Sequence, residues 1–363
     1  MNKKTAISFF LGIALSLIAL YFAFRNVPFA DLIAYLGSIN YLWVLPSTLI
    51  VFISFVLRAV RWQFILSSNQ KIGFWSSYHP LIIGFMINCI LPGRVGEVAR
   101  PVILKKKDNV PFATGFATVV AERIFDLFIL IILFIFFLST AKIDPNLIIE
   151  FGNYNLNSET LEIVFSGMIK LSVLLFAGII IVGFDTTRKI INRIIMGMPS
   201  LLFFLGSSLK RKIQDKVCIP VVHIIENFAS GFSFIKSPKL ILTCIIFSII
   251  IWALSSLTYY VFSLGCPGIN LSFAKLTSVM LIVCFFIALP SAPGFWGLWE
   301  AGGVFAMLLF GVSEKEAAGF TLANHAIQMF PVIIMGLISA FITGVDIRRV
   351  SYNQLKDITH VNS

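Results

Sequence analysis

The chain has 363 residues, of which 58% are hydrophobic and only 12% are charged, and its mean hydropathy is +0.94. Soluble domains carry about 25% charged residues, so this composition excludes an ordinary soluble enzyme. It predicts an all-α polytopic membrane protein. The net charge of +11 does not indicate a nucleic-acid partner, because the basic residues lie between apolar segments, as in cytoplasmic loops that contact anionic lipid.

Uncharged runs predict the membrane spans, since about 20 apolar residues cross a bilayer as a helix. The clearest runs, with two further candidates last, are 5–24, 32–57, 127–141, 240–274, 276–299, 317–345, 112–138 and 163–184. Two more segments, 78–104 and 272–311, are apolar but broken by Pro and Gly, which interrupt helices. We expect about six full spans and two re-entrant or broken helical hairpins.

The distribution of Lys and Arg predicts the orientation. Segment 185–216 has seven basic residues against two acidic ones, so it is expected in the cytoplasm with both termini. The hairpin at 78–104 would then enter from the cytoplasm and the hairpin at 272–311 from outside. Two hairpins that enter the membrane from opposite faces are expected of an inverted repeat. We expect a multi-pass protein of the cell inner membrane.

The whole of 1–345 is predicted to be one membrane domain. Its repeat halves would be 41–184 and 218–345, with a basic segment at 185–236 lying on the cytoplasmic interface. A short cytoplasmic tail, 346–363, would follow. The five cysteines form no C-x-x-C pair, which favours buried free thiols over a metal site. No cofactor is expected.

The two hairpins contain similar motifs. The first has Pro92-Gly93, then Gly96 and Glu97, and the second has Pro293-Gly294, then Gly297 and Glu300. Broken apolar segments at corresponding places in two halves indicate a transporter's binding site. In the first hairpin we expect Asn88, Arg94, Glu97 and Arg100 to contact a lipid headgroup. The alternative is a cytoplasmic loop with an ordinary surface ion pair.

Three further charges precede a long apolar run. Glu122 and Asp126 share a helix face, with Arg123 beside them. A helix that begins near Pro111 places them about 15 Å into the bilayer, where charges usually face the bundle interior and pair with one another or with a ligand. A substrate site and a structural ion pair are both open. Glu122 and Asp126 are also candidate proton carriers.

The second hairpin leaves Glu300 without a charged neighbour in sequence. We expect it to be protonated or to pair with an arginine of the first half, such as Arg94, Arg100 or Arg123. His325 is a candidate to bind phosphate or relay protons, with interhelical hydrogen bonding as the alternative.

Arg58 and Arg61, followed by Trp62, close the second predicted span. Arginines at a span end usually reach towards the interface, where tryptophan is also favoured. A contact with lipid phosphate is the alternative.

Four motifs occur in order: Arg58-x-x-Arg61-Trp62, Asn88-x-x-x-Pro92-x-Arg94-x-Gly96-Glu97-x-x-Arg100, Glu122-Arg123-x-x-Asp126, and Pro293-Gly294-x-x-Gly297-x-x-Glu300. Together they resemble the flippase-like membrane family, which is the transmembrane region of lysylphosphatidylglycerol synthases and also occurs as stand-alone membrane proteins. The resemblance covers roughly 5–345. It implies that the membrane region moves an aminoacylated lipid to the outer leaflet. The synthases' soluble aminoacyl-transferase domain is expected to be absent, because the chain ends at Ser363.

These features predict a lipid flippase or scramblase rather than an enzyme. Its substrate would be a phospholipid, an aminoacyl lipid or a polyprenyl-phosphate-linked lipid. No G-x-x-x-x-G-K-[ST] motif is present, so an ion gradient or a partner would supply any energy. Two alternatives are a membrane enzyme that uses its carboxylates on a lipid-linked substrate, and a non-catalytic membrane partner of a separately encoded lipid-modifying transferase.

Overall fold

The computed structural model describes residues 3–91, 94–140, 149–151, 154–156, 166, 170, 185–201, 206–289 and 292–346. Two short strands, β1 (Ile149–Phe151) and β2 (Tyr154–Leu156), pair antiparallel. Everything else of regular structure in these ranges is helical. The longer helices are α1 (Lys3–Phe24), α2 (Phe29–Ser38), α3 (Val44–Ser67), α4 (Phe74–Ile90), α5 (Val95–Asp108), α6 (Phe112–Thr140), α7 (Asp185–Leu201), α8 (Ser207–Ile213), α9 (Ile219–Ser230), α10 (Pro238–Ser263), α11 (Phe273–Ala288), α12 (Leu298–Leu308) and α13 (Glu314–Thr343).

Three helical segments in the described ranges are long and apolar enough to cross a membrane: Tyr41–Ser67, Pro238–Ser263 and Glu314–Thr343. A fourth candidate is α1 with α2, which are bent by 77° at their junction. These segments fit the predicted polytopic helical fold, while the six full spans and the inverted repeat stay predictions.

Serine caps begin two of the later helices. Ser237 accepts a hydrogen bond from the Leu240 amide at the start of α10, and Ser313 accepts one from the Glu316 amide at the start of α13. These bonds satisfy backbone donors that would otherwise be unpaired.

The first predicted hairpin is formed by α4 and α5. They are 17 and 14 residues long, about 25 and 21 Å at 1.5 Å per residue. Each is shorter than the roughly 30 Å hydrocarbon core. Gly84 of α4 lies directly against Gly96 of α5, so the chain turns back on itself after Ile90. The lengths and the reversal support a re-entrant segment.

The second hairpin is formed by α11 and α12, with 16 and 11 residues. Phe286 packs on Gly302 near the break, and the Lys275 ammonium lies 5.7 Å from the Phe310 ring at the open end. The two helices are therefore antiparallel. At about 24 Å, α11 is shorter than a full span. Between them, a short 3₁₀ turn, Pro293–Phe295, forms the tip.

Several predicted span boundaries were wrong. The expected span 32–57 is divided, because α2 ends at Ser38 and α3 runs on to Ser67. Helix α3 continues past Arg58, which lies over aromatic rings, and past Arg61, which pairs with buried carboxylates. The expected span 240–274 ends at Ser263, before a turn in which Gly268 has φ +79°. The run 276–299 contains α11, the hairpin tip and the start of α12.

The basic segment 185–236 folds into α7, α8 and α9, joined in part by a π turn at Gln214–Cys218. Asp185 accepts hydrogen bonds from Lys236 and Arg188, which hold the pKa of its carboxyl below the ordinary value. Exposed Ile190, Ile194 and Met198 lie on α7, as expected for an interfacial helix. The predicted span 163–184, apart from residues 166 and 170, and the tail beyond residue 346 lie outside the described residues.

Candidate functional site

The tips of the two hairpins are in contact. Arg94, at the start of α5, donates from Nη2 to the carbonyl oxygen of Ile287 in α11 at 2.8 Å. Its guanidinium also lies 5.7 Å from the Phe295 ring centroid. A Cβ on Gly294 would approach the Cys89 carbonyl oxygen to 3.1 Å. The two broken segments, separated by about 200 residues of sequence, thus form one surface.

A cavity of about 220 Å³ opens beside this contact. Its aromatic wall includes Phe55, Phe85, Trp252, Phe295 and Trp299, and its polar wall includes Ser54, Arg58, Asn88, Arg94, Glu97, Arg123, Ser255, Thr258, His325 and Gln328. Three arginines against one glutamate give a formal net charge of +2. Such a mixture of aromatic surface and convergent polar groups is typical of a ligand site, and its charge favours an anion.

Two of the cavity arginines have no acidic partner. Among the described residues, neither Arg58 nor Arg94 has a carboxylate within 4.0 Å. The Arg58 guanidinium lies 5.7 to 5.8 Å from the ring centroids of Phe55, Phe85 and Trp252, so cation–π attraction is its main contact. Guanidinium groups in this state are available to an anionic ligand.

The third cavity arginine, Arg123, is shared between two carboxylates. It lies 4.0 Å from Glu97 and 3.7 Å from Asp126. Glu97 remains about a quarter exposed to the cavity. Because α6 brings Arg123 close to Glu97, the charged partner of Glu97 comes from α6 and not from its own helix.

Behind the cavity wall lies a buried charge network that is neutral overall. Arg61 bonds to Asp126 at 2.6 Å and to Glu122 at 3.4 Å, and Arg100 bonds to the other oxygen of Glu122. All four side chains are at most 5% exposed. Neutral pairing explains how two arginines and two carboxylates are tolerated inside the protein.

Arg61 and Trp62 therefore do not lie at an interface, and that prediction was wrong. Both are fully buried, with the Trp62 indole donating to Thr118 and the Arg100 guanidinium 4.1 Å above its ring. Arg100, expected to contact a headgroup, and Glu122, for which a substrate site and a structural ion pair were both open, do not line the cavity. Asp126 is buried as well, but it accepts from Trp252, which does line the cavity.

Glu300 pairs with a histidine, so the expected arginine partner was wrong. Its Oε1 lies 2.6 Å from Nδ1 of His325, and its Oε2 accepts from the Gly297 amide at 2.7 Å. His325 Nε2 lies 2.9 Å from the carbonyl oxygen of Gly294. Glu300 is fully buried and does not line the cavity itself. It holds His325, which does.

The remaining predicted hairpin residues mostly shape the two tips. Asn88 lines the cavity and accepts from the Gly96 amide at 2.7 Å. Pro293 begins the second tip, where Gly294 and Gly297 have φ of +67° and +87°, values that glycine adopts without strain. Pro92 and Gly93 lie outside the described residues.

Sequence reasoning did not place Trp252, Gln328 or the serine and threonine of α10 at the site. Their signal was weak, because single polar residues in apolar helices also serve helix contacts. Arg58 was considered only as an alternative. The spacing of three between Arg58 and Arg61 puts both on one side of α3, so it gave no signal that only Arg58 would line the cavity.

Fold and site together define a polytopic helical membrane protein with a basic cavity between two broken hairpins. The sequence profile of the family described as lysylphosphatidylglycerol synthase TM region matches residues 9–336. The chain belongs to this family, as the resemblance predicted.

Similar proteins include the glycosyltransferase AglD of Haloferax volcanii, 22% identical over 90% of this chain and 53% of the relative. A UPF0104 membrane protein of Methanocaldococcus jannaschii is 27% identical over 74% of this chain and 98% of its own. One from Pyrococcus horikoshii is 23% identical over 82% and 86%. The chain spans about half the length of the Haloferax relative. No solved structure matches.

Proposed function

We propose that this protein is a lipid flippase or scramblase that moves an anionic or zwitterionic lipid between leaflets. One observation carries the proposal: Arg58 and Arg94 converge on the cavity with no carboxylate partner among the described residues. A lipid phosphate is the anion available at membrane depth. It would bind between these arginines, because guanidinium pairs strongly with phosphate.

An apolar groove beside the cavity favours a lipid over free phosphate as the ligand. An apolar groove of about 540 Å³ lies between α2, α3, α10 and α13 and is lined by Leu36, Tyr41, Val44, Thr48, Phe262, Trp296, Leu322, Ala323, Ala326, Ile327, Phe330, Pro331 and Ile334. Trp296 borders this groove, while Phe295 and Trp299 on either side of it in sequence border the cavity. A basic cavity beside an apolar groove matches a headgroup and its hydrocarbon chain.

The broken hairpins supply a path between the leaflets. Helical hairpins that reach the centre of a bundle are found where transporters bind substrate near the midplane. Hydrogen bonds such as that from Arg94 to the Ile287 carbonyl join the two tips. Movement at this contact would open the cavity towards either leaflet.

A reconstituted leaflet-translocation assay tests the proposal. Proteoliposomes would be supplied with labelled phosphatidylglycerol, its aminoacylated form, phosphatidylethanolamine or a polyprenyl phosphate. We expect movement of at least one of these lipids, and its loss in Arg58→Gln. The matched control is Arg188→Gln, whose arginine pairs with Asp185 and Glu226 outside the cavity. Equal rates in protein-free and protein-containing vesicles for every lipid would contradict the proposal.

A non-catalytic partner role is the second candidate. It is favoured by the match to the membrane region of a synthase family and by a glycosyltransferase-named relative that is about twice as long. The membrane-enzyme alternative would need a nucleophile or base beside the bound lipid, for which Cys89, Glu97 and His325 of the cavity wall are candidates. Co-purification with a separately encoded transferase, without translocation by the chain alone, would favour the partner role.

A further inference from the structure

The pair formed by Glu300 and His325 must hold one shared proton. The Gly294 carbonyl oxygen can only accept, so the hydrogen bond from His325 Nε2 at 2.9 Å needs a hydrogen on that nitrogen. A second hydrogen must lie between Nδ1 and Glu300 Oε1, which are 2.6 Å apart. Whether it sits on nitrogen or oxygen, the pair is neutral.

Loss of the shared proton would change both charge and geometry. The pair would then carry one negative charge, and two acceptors would face each other across 2.6 Å. The histidine is held between Trp299, which stacks in parallel at 4.5 Å, and Trp296 at the same distance. Its ring therefore has little freedom to turn away. The hydrogen bond from His325 Nε2 joins the pair to the Gly294 carbonyl oxygen. A movement of the histidine ring would therefore also move the second hairpin tip.

The cavity responds to this charge because His325 forms part of its wall. The formal charge of +2 on the empty cavity attracts negative charge and so opposes the neutral, protonated state of the pair, whose hydrogen bonds the structure shows. An anionic headgroup between Arg58 and Arg94 cancels part of that charge and favours the protonated, neutral pair. Charges inside a protein interact strongly at these separations because water screens them little.

The other titratable groups around the pair do not supply a competing charge. Those that face it or the adjoining tip from neighbouring elements are Tyr259 of α10, Cys284 of α11, Cys89 of α4, and the cavity residues Arg58, Arg94, Glu97 and Arg123. Tyrosine and cysteine are ordinarily neutral at pH 7. The arginines and Glu97 are the cavity charges already counted.

Polar atoms beside the pair offer a route for the proton. Within the described part of the chain, Trp299 Nε1 is buried without a hydrogen-bond partner, and Tyr259 Oη and the Asn324 side-chain amide are buried next to each other. Buried polar groups of this kind usually bind water, and water chains conduct protons.

We propose that the Glu300–His325 pair is a proton-binding site coupled to the headgroup site, so that an anionic lipid and one proton bind together. The inference rests on the proposed lipid-transport function and names its coupling ion. Binding of a lipid anion takes up a proton, and release of the lipid releases it. The hydrogen bond from His325 to the Gly294 carbonyl oxygen links the proton-binding pair to the second hairpin tip.

The test is the pH dependence of binding by the purified full chain. The probe is short-chain phosphatidylglycerol, whose phosphodiester does not itself titrate between about pH 6 and about pH 9. We expect its affinity to fall as the pH rises, by up to about tenfold per pH unit for one linked proton. Calorimetry in two buffers of different ionisation enthalpy should show proton uptake on binding.

The variant Glu300→Gln keeps the shape and lets the amide donate to Nδ1, so the pair stays neutral. Its affinity should be independent of pH over the same range. Glu314→Gln, at the start of α13 and outside the cavity wall, is the matched control and should follow the unaltered protein.

The remaining outcomes contradict the inference, and one of them also contradicts part of the proposed function. Binding that is independent of pH, or without proton uptake, in the unaltered protein overturns the inference and leaves the lipid site intact. If the affinity of Glu300→Gln depends on pH as strongly as that of the unaltered protein, the inference is also overturned and the lipid site is left intact. No binding at any pH overturns the inference together with the proposal that the transported lipid is anionic. If Glu300→Gln does not fold, the proton-uptake measurement on the unaltered chain decides.

Discussion

Gly84 and Gly96 lie backbone to backbone across the first hairpin. A Cβ on Gly84 would stand 2.7 Å from the Gly96 carbonyl oxygen, and one on Gly96 would collide with the carbonyl oxygen of Gly84. Glycine at both positions is therefore what allows α4 and α5 to approach closely enough to form the hairpin. The contact also sets the position of Arg94 at the tip.

Gly96→Ala should disrupt this hairpin and lower the yield of folded protein. The new methyl group meets backbone, which cannot move aside as a side chain can, and overpacking of this kind costs about 1–3 kcal/mol or more. Size-exclusion profiles and thermal unfolding in detergent measure the effect. The control is Gly197→Ala in α7, where a Cβ meets nothing within 4 Å. Equal stability of the two variants would contradict the close packing.

The buried network predicts a non-additive pair of substitutions. Glu122→Gln leaves Arg61 and Arg100 with one carboxylate fewer, and breaking a buried pair in this way costs about 3–5 kcal/mol. Removing the arginine as well, in Arg100→Gln with Glu122→Gln, restores neutrality. We expect the double variant to unfold at a higher temperature than the single one.

A surface pair provides the comparison. Arg188→Gln and Glu226→Gln break a partly exposed ion pair, and each should change stability by no more than about 1 kcal/mol. For the buried pair, if the losses of stability in Arg100→Gln and Glu122→Gln simply add up in the double variant, the two side chains do not stabilise each other.

Arg94→Gln is expected to weaken anion binding and to loosen the contact between the tips. The substitution removes a charged donor to the Ile287 carbonyl, and such hydrogen bonds contribute about 1.5–3 kcal/mol. Affinity for short-chain phosphatidylglycerol should fall by roughly tenfold or more, since about 1.4 kcal/mol corresponds to a factor of ten. Unchanged affinity, with Arg188→Gln as control, would place the anion elsewhere.

The sequence predicted the class of fold and the two hairpins because composition and helix-breaking residues act locally. It also predicted the start of α6 near Pro111. It did not predict which charges meet. Arg61 lies behind the cavity wall and Arg58 in front of it, only three positions apart, because α6 packs against one side of α3. The partner of Glu300 was missed for the same reason, since His325 reaches it only through the packing of α12 on α13.

The apolar groove predicts a variant that separates hydrocarbon binding from headgroup binding. Ala326 lines the groove and not the cavity, so Ala326→Phe would fill part of the space assigned to the lipid chain. Translocation of a full-length lipid should fall several-fold, as expected when a side chain overfills a packed space. Binding of short-chain phosphatidylglycerol should stay within roughly twofold, because the headgroup contacts are unchanged. Leu337→Phe, on the exposed face of the same helix, is the control and should affect neither measurement. Parallel loss of both activities in Ala326→Phe would show instead that the groove and the cavity are not separate compartments.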